Sequence, residues 1–305
     1  RAMNTLPART VTLLLVLCSS FEVSFAQDLE PRRWSQLPTG VNFVGVGLAH
    51  STGDIFVDPV LEVEDAEVDM FTIGVSYVRS FSLLGRSARF DVSASFADGR
   101  WDGLLEGEPA RADRHGMNDP RFRLSVLLYG GPAQDPKAFA ESEQSNTVIG
   151  AAISVVAPLG EYYEDKLINL GGNRWVIRPQ LGVTHTRGRW TYELTGSVFL
   201  FTDNDSFYPG ARLENDPLYA IQGHLIYTFR PGLWASLSSA WGTGAEPTID
   251  GASRDAETEN WLAALSVGMP ISRTQGVKLA YIRSQTQVET GADLNTILLS
   301  YSKMF

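Results

Sequence analysis

The chain has 305 residues, a formal net charge of −10, 28 glycines and a single cysteine. Hydrophobic residues make up 44% and charged residues 20%, which excludes a disordered polymer and a bundle of membrane-spanning helices. One cysteine excludes a disulfide framework and a cysteine-rich zinc site. The acidic balance argues against nucleic acid as a partner, because neutralising phosphates takes Lys and Arg in excess. What remains is a β-protein rich in glycine and aromatic residues.

The first segment sets the compartment. Arg1 and Arg9 surround a polar start, Val11 to Cys18 form a short apolar run, and Ser24-Phe25-Ala26 places small residues where a signal peptidase reads. Residues 1–26 are therefore expected to be a cleavable signal peptide. Leu17 precedes Cys18 where lipidation would want a small side chain. A periplasmic segment over 27–40 and a barrel over 41–305 are expected to follow.

Beyond this segment no apolar stretch is long enough for a helical span, and the pattern becomes alternation with period two. Between Trp190 and Leu200, the residues Trp190, Tyr192, Leu194, Val198 and Leu200 oppose Thr191, Glu193, Thr195 and Ser197. Such a strand has one face in an apolar medium and one in a polar medium. Strands are expected near 41–50, 68–81, 87–99, 119–130, 146–157, 174–186, 189–202, 217–230, 232–242, 258–269, 275–285 and 294–305. Alternation alone does not separate a soluble sandwich from a membrane barrel.

The connections do separate them. Ser51–Glu67, Arg100–Asn118, Pro158–Asn173, Asp203–Asp216, Thr243–Glu257 and Thr286–Asp293 are long, whereas those between are short except for Gly131–Ser145. Long loops at one end and tight turns at the other, with an even strand count, predict an all-β antiparallel transmembrane barrel of about 12 strands in the outer membrane of a Gram-negative bacterium. The six long connections carry 23 Asp and Glu against six Lys and Arg. Facing outward, those carboxylates would share divalent cations with lipopolysaccharide, as oxygen ligands do. Trp101, Trp175, Trp241 and Trp261 fall toward the long loops and Trp190 and Trp234 toward the turns, which predicts two interfacial girdles. The last strand, with Ile297, Leu299, Tyr301 and Phe305 on one face, resembles the segment that outer-membrane proteins present to the barrel assembly machinery. Tyr301 and Phe305 are the expected assembly signal.

Several stretches carry a family resemblance. They are Gly53 to Ala66, Tyr77-Val78-Arg79-Ser80-Phe81, Gly116-Met117-Asn118-Asp119-Pro120-Arg121, Pro158-Leu159-Gly160-Glu161-Tyr162, Asn173-Arg174-Trp175 and Arg178-Pro179-Gln180. Together they resemble the outer-membrane transporter family named for a meta pathway of phenol degradation. The resemblance covers the whole mature chain, and it implies a barrel and uptake of aromatic or other hydrophobic compounds. It supplies no catalytic residues.

The polar parity assigns Arg89, Asp91, Arg121, Arg123, Arg178, Gln180, Glu193, Gln222, His224 and Arg230 to the lumen. Facing charges there would either select solutes or fill a narrow interior. Arg121 and Arg123 stand out because both follow the Gly116–Pro120 stretch. The histidines at 50, 115, 185 and 224 are too dispersed for a metal motif, and none joins a serine in a recognisable nucleophile arrangement. No enzyme activity, cofactor or metal is expected. Three readings stay open: a small-molecule channel, a structural or adhesive barrel, and a soluble periplasmic β-protein.

Overall fold

The computed structural model describes residues 29–56, 63–207, 210–254 and 256–305. The expected signal peptide and Cys18 lie outside the described residues. The strands are β1 (Asn42–Phe56), β2 (Val63–Leu83), β3 (Arg86–Leu105), β4 (Glu108–Met117), β5 (Arg121–Tyr129), β6 (Thr147–Val156), β7 (Val176–Arg187), β8 (Trp190–Phe201) and β9 (Asn204–Phe207). They continue as β10 (Ala211–Asn215), β11 (Leu218–Arg230), β12 (Leu233–Gly244), β13 (Pro247–Ile249), β14 (Ala252–Ser253), β15 (Thr258–Pro270), β16 (Gln275–Thr286) and β17 (Gly291–Met304). A single-turn helix, α1, spans Pro136–Glu141.

Twelve of these strands close an antiparallel barrel in the order β1, β2, β3, β5, β6, β7, β8, β11, β12, β15, β16, β17. Closure is by β17 pairing with β1, from Phe43 opposite Met304 to Phe56 opposite Gly291. β3 pairs with β5 through Ala88–Ser93 and with β4 through Phe96–Leu105. β4 and β5 are therefore one descending wall strand, interrupted at Asn118-Asp119-Pro120. β9, β10, β13 and β14 form a separate four-stranded sheet within the long connections.

The exposed parity decides the solvent. Leu194 is 49% exposed on β8, whereas Thr195 beside it is 1% exposed. The same holds on β1, where Val44, Val46 and Leu48 point outward, and on β2, where Phe71, Ile73, Val75 and Tyr77 do. A soluble sandwich buries its apolar parity; this chain exposes it, as a transmembrane barrel must. The soluble reading is excluded.

Tight turns gather at one rim. Leu84 and Gly85 join β2 to β3 with φ of 51° and 76°, the pair of left-handed residues that a twisted two-residue hairpin requires. β1 begins and β17 ends at this rim, where Asn42 and Phe305 exchange backbone hydrogen bonds of 2.9 Å. The long Gly131–Ser145 connection also lies here and contains α1, whose Asp135 carboxylate accepts from the amides of Lys137 and Ala138.

One expectation changes at the opposite rim and a second at both. Much of Ser51–Glu67 and Arg100–Asn118 is strand, because β1 and β2 run on past the lipid-facing band and β3 returns as β4 through Glu106-Gly107. Their acidic composition reflects strand faces that have left the membrane and are solvated. Of the tryptophans, Trp175, Trp190, Trp241 and Trp261 are exposed outward. Trp101 and Trp234 instead face the interior, where Trp234 lies beneath the Arg32 guanidinium at 5.7 Å and beside the bare Cα of Gly268.

Candidate functional site

The barrel does not stand empty. The segment before β1, expected to remain periplasmic, runs inside it. Leu29 packs on Ala240, Leu262, Ala264 and Ile282 of the wall. Trp34 is fully buried among Leu127, Val148 and Ala152, and its Nε1 donates to Thr195 Oγ1 at 2.8 Å. The slot for its ring exists because Gly150 and Gly182 carry no side chain. A Cβ at these positions would lie 2.2 Å and 2.0 Å from the indole. The segment leaves past Ser80, whose hydroxyl donates to the Pro38 carbonyl at 2.6 Å.

Charge fixes the same segment. Arg33 reaches Asp91 at 3.1 Å and donates to Ser125 Oγ at 2.6 Å, while its backbone N–H donates to Glu193 at 3.0 Å. Glu30 meets Arg123 at 2.8 Å and Arg121 at 3.4 Å. Asp91 also receives Arg123 at 3.2 Å and Arg89 at 3.4 Å. The sequence left the acidic partners of Arg121 and Arg123 open. The register places Asp91 opposite Arg123, and the plug supplies Glu30.

The remaining sequence candidates divide. Arg178 stacks over Phe199 at 4.3 Å, and Gln180, Glu193, Gln222 and His224 are buried on the inward parity. Arg230 shares that parity but is exposed at the turn rim, beyond a register irregularity that follows Thr228. It does not join the lumen. Tyr301 faces outward and donates to Gln275 at 2.9 Å, and Phe305 is exposed at the rim. His224 does meet a serine, Ser238 Oγ at 2.7 Å. Its Nε2 is buried and has no hydrogen-bond partner among the described residues, so no acid orients the ring as a catalytic triad requires.

A second inward element closes the other end of the lumen. The Pro158–Asn173 connection folds into the barrel mouth and is held by Asp119. One carboxylate oxygen accepts the Gly160 amide and the other the Gly172 amide, each at 2.7 Å. The Glu161 amide donates to the Met117 carbonyl at 2.7 Å, and a Cβ on Gly116 would strike the Glu161 side chain at 2.7 Å. Leu170 packs against the buried Ile55, Val68, Met70, Ala97 and Ala292, and Leu167 against the four-stranded sheet. Asn173 donates to Asn204 at 2.8 Å, and Arg174 lies over Phe201 at 4.5 Å. The segments that carried the family resemblance around 116–121, 158–162 and 173–175 thus build one structure.

Asp119→Ala should free this loop, since hydrogen bonds to a charged group contribute about 1.5–3 kcal/mol each. Limited trypsinolysis at Lys166 should be faster in the variant than in the unmodified chain. Equal cleavage rates would show that Asp119 is not the anchor.

Between the plug and the loop lies a cavity of about 700 Å³. Its wall is uncharged on β1 and β2, with small residues at Gly45, Gly47, Ala49 and Gly74, and basic on β5 and β7. Sequence reasoning missed Glu30, Arg33, Trp34, Asp119 and Lys278. Only Lys278 carried a periodic signal, alternating with Val277 and Leu279.

Known structures share this architecture. An outer membrane channel from Pseudomonas putida F1 superposes with a TM-score of 0.75 at 22% identity, covering 91% of this chain and all of that one. The transport unit of the autotransporter AIDA-I from Escherichia coli gives 0.52 at 8% identity over 98% of both chains. The beta domain of the Bordetella autotransporter BrkA gives 0.51 at 7% identity, over 87% of this chain and 99% of that one. No curated protein matches the sequence. A family model described as "Putative MetA-pathway of phenol degradation" matches residues 52–297, so the chain belongs to that family.

Proposed function

We propose that the protein is a channel of the Gram-negative outer membrane for small molecules, with aromatic and other hydrophobic compounds as the class suggested by its family. One observation carries this reading. The lumen is narrowed by chain segments laid into it, Leu29–Gly40 at the turn rim and Pro158–Asn173 at the mouth, and it retains a cavity of about 700 Å³ between them. A barrel with a purely structural role can fill its interior with wall side chains. Here the wall of β1 and β2 instead leaves room at Gly45, Gly47, Ala49 and Gly74. A volume of this size matches small-molecule sites, which run to roughly 300–1,000 Å³. The likeness to the Pseudomonas putida channel supports the fold on which the reading rests.

Insertion of the purified chain into planar bilayers should give discrete unitary current steps. A heat-modifiable, correctly folded barrel that inserts and yields no steps would overturn the proposal in favour of a structural or adhesive role.

A further inference from the structure

The outer surface at the turn rim carries a group of side chains with no part in conduction. Arg187 ends β7 on the outward parity of Leu181 and Val183, and Arg189 sits in the Gly188-Arg189 turn to β8. The Thr228 amide donates to the Arg189 carbonyl at 2.8 Å, which ties this turn to the end of β11. Arg230 follows two residues later. The register irregularity after Thr228 sets it opposite Leu233, on the parity of the lipid-facing Leu237. All three guanidiniums are exposed, and among the described residues none has an ion-pair partner. The wall here offers them none. Between residues 166 and 202 the one acid is Glu193, which is buried on the inward parity, and between 217 and 245 there is none. Asp135, Glu141 and Glu143 belong to the neighbouring Gly131–Ser145 connection and pair with none of the three.

Aromatic rings stand among these cations. Trp190 lies opposite Arg187 on one side and Tyr227 on the other. Trp190, Tyr227 and Phe229 meet edge to face, with ring centroids 4.8 and 4.9 Å apart. An outward indole at a strand end takes the depth of the membrane interface. Below it Tyr192, Leu194 and Leu225 face the lipid. From the turn toward the midplane the surface therefore offers guanidiniums, then stacked rings, then apolar side chains. A phospholipid presents the matching order of phosphate, glycerol backbone and acyl chain. Guanidiniums grip phosphate oxygens bidentately. A zwitterionic headgroup also brings an ammonium, and no carboxylate stands here to receive it. The apolar column continues into the lipid-facing wall, which fits a lipid and not an acidic protein. Short turns mark the periplasmic rim of such barrels. We infer that Arg187, Arg189 and Arg230, with Trp190, bind the headgroup of an anionic phospholipid of the periplasmic leaflet. This holds whether or not the barrel conducts.

Fluorescence quenching of the full chain in phosphatidylcholine vesicles, by a minor fraction of acyl-brominated phosphatidylglycerol, tests the inference. Bromine quenches an adjacent indole, and the difference between the unmodified chain and Trp190→Phe isolates the indole at this patch. Brominated phosphatidylglycerol should quench that signal at least about tenfold more effectively than brominated phosphatidylcholine, since each interfacial cation favours an anionic lipid about fivefold. Replacing Arg187, Arg189 and Arg230 together with glutamine should bring the two lipids to within about twofold. Arg273→Gln removes a cation from the β15–β16 turn of the same rim and should leave the preference unchanged. Heat-modifiable gel mobility checks that each variant is folded. If the triple variant is not, single glutamine replacements should each lower the preference about fivefold. Equal quenching by the two lipids, folded patch variants that keep the full preference, or the same loss in Arg273→Gln would each overturn the inference.

Discussion

Replacing Trp34 with alanine should open the channel. The indole fills a slot cut by two wall glycines, and truncating a fully buried Trp costs about 3–5 kcal/mol. That loss falls on the docking of a short segment, because the strand ladder closes without Trp34, whose indole reaches the wall at the Thr195 hydroxyl. Unitary conductance should rise and its fluctuations should broaden as the segment leaves the lumen. Gly182→Val reaches the same end from the wall side, since its Cβ would occupy the space of the indole nitrogen. The Arg33 contacts to Asp91, Ser125 and Glu193 oppose release, so a chain lacking residues 29–37 provides the fully open reference. Conductance unchanged in all three would show that the segment does not limit the pore.

The lipid-facing wall makes the second large prediction. Leu194→Arg should lower stability by about 2–4 kcal/mol if the guanidinium lies near the membrane midplane. Period-two alternation alone nominates Thr195→Arg as its mild partner. The structure removes that control, because Thr195 is buried against Trp34 and a long side chain there would expel the plug. The contrast belongs on β2 instead. Ile73→Arg faces lipid, whereas Thr72→Arg enters the cavity. Urea unfolding from bilayers of different thickness should show a penalty that varies with thickness for Leu194→Arg and Ile73→Arg only. Equal penalties for Ile73→Arg and Thr72→Arg would refute the inward and outward assignment.

The barrel was legible in the sequence because each wall strand sits between lipid and lumen, and that environment imposes alternation residue by residue. Leu194 and Thr195 show it in two adjacent positions. The plug left no such trace. Leu29, Glu30, Arg33 and Trp34 lie on irregular backbone, and each is held by wall strands distant in sequence through contacts that only the closed barrel creates. Asp119 was visible within a family-like stretch, yet its role as an anchor depends on Gly160 and Gly172, about 40 and 50 positions away. Trp101 and Trp234 were misassigned for a related reason. Position near a strand end is shared by interface residues and by inward ones, and parity decides between them.

Net charge misled in a similar way. The acidic total of −10 belongs to the outer connections, where 23 acids gather, and it conceals a lumen of opposite sign. A solute crossing this barrel meets carboxylates at the mouth and then a cavity lined by eight cations. The interior field should dominate selectivity, because charges in a narrow, low-dielectric passage are screened far less than those at an exposed rim.

The zero-current potential of the unmodified protein in a planar bilayer, under a potassium chloride gradient, tests the account most directly. A channel constricted between the Trp34 plug and the Asp119-anchored loop should conduct, and its potential should have the sign of chloride preference. A potential of the sign for potassium preference would place the selective field at the acidic rim and contradict the basic constriction described here.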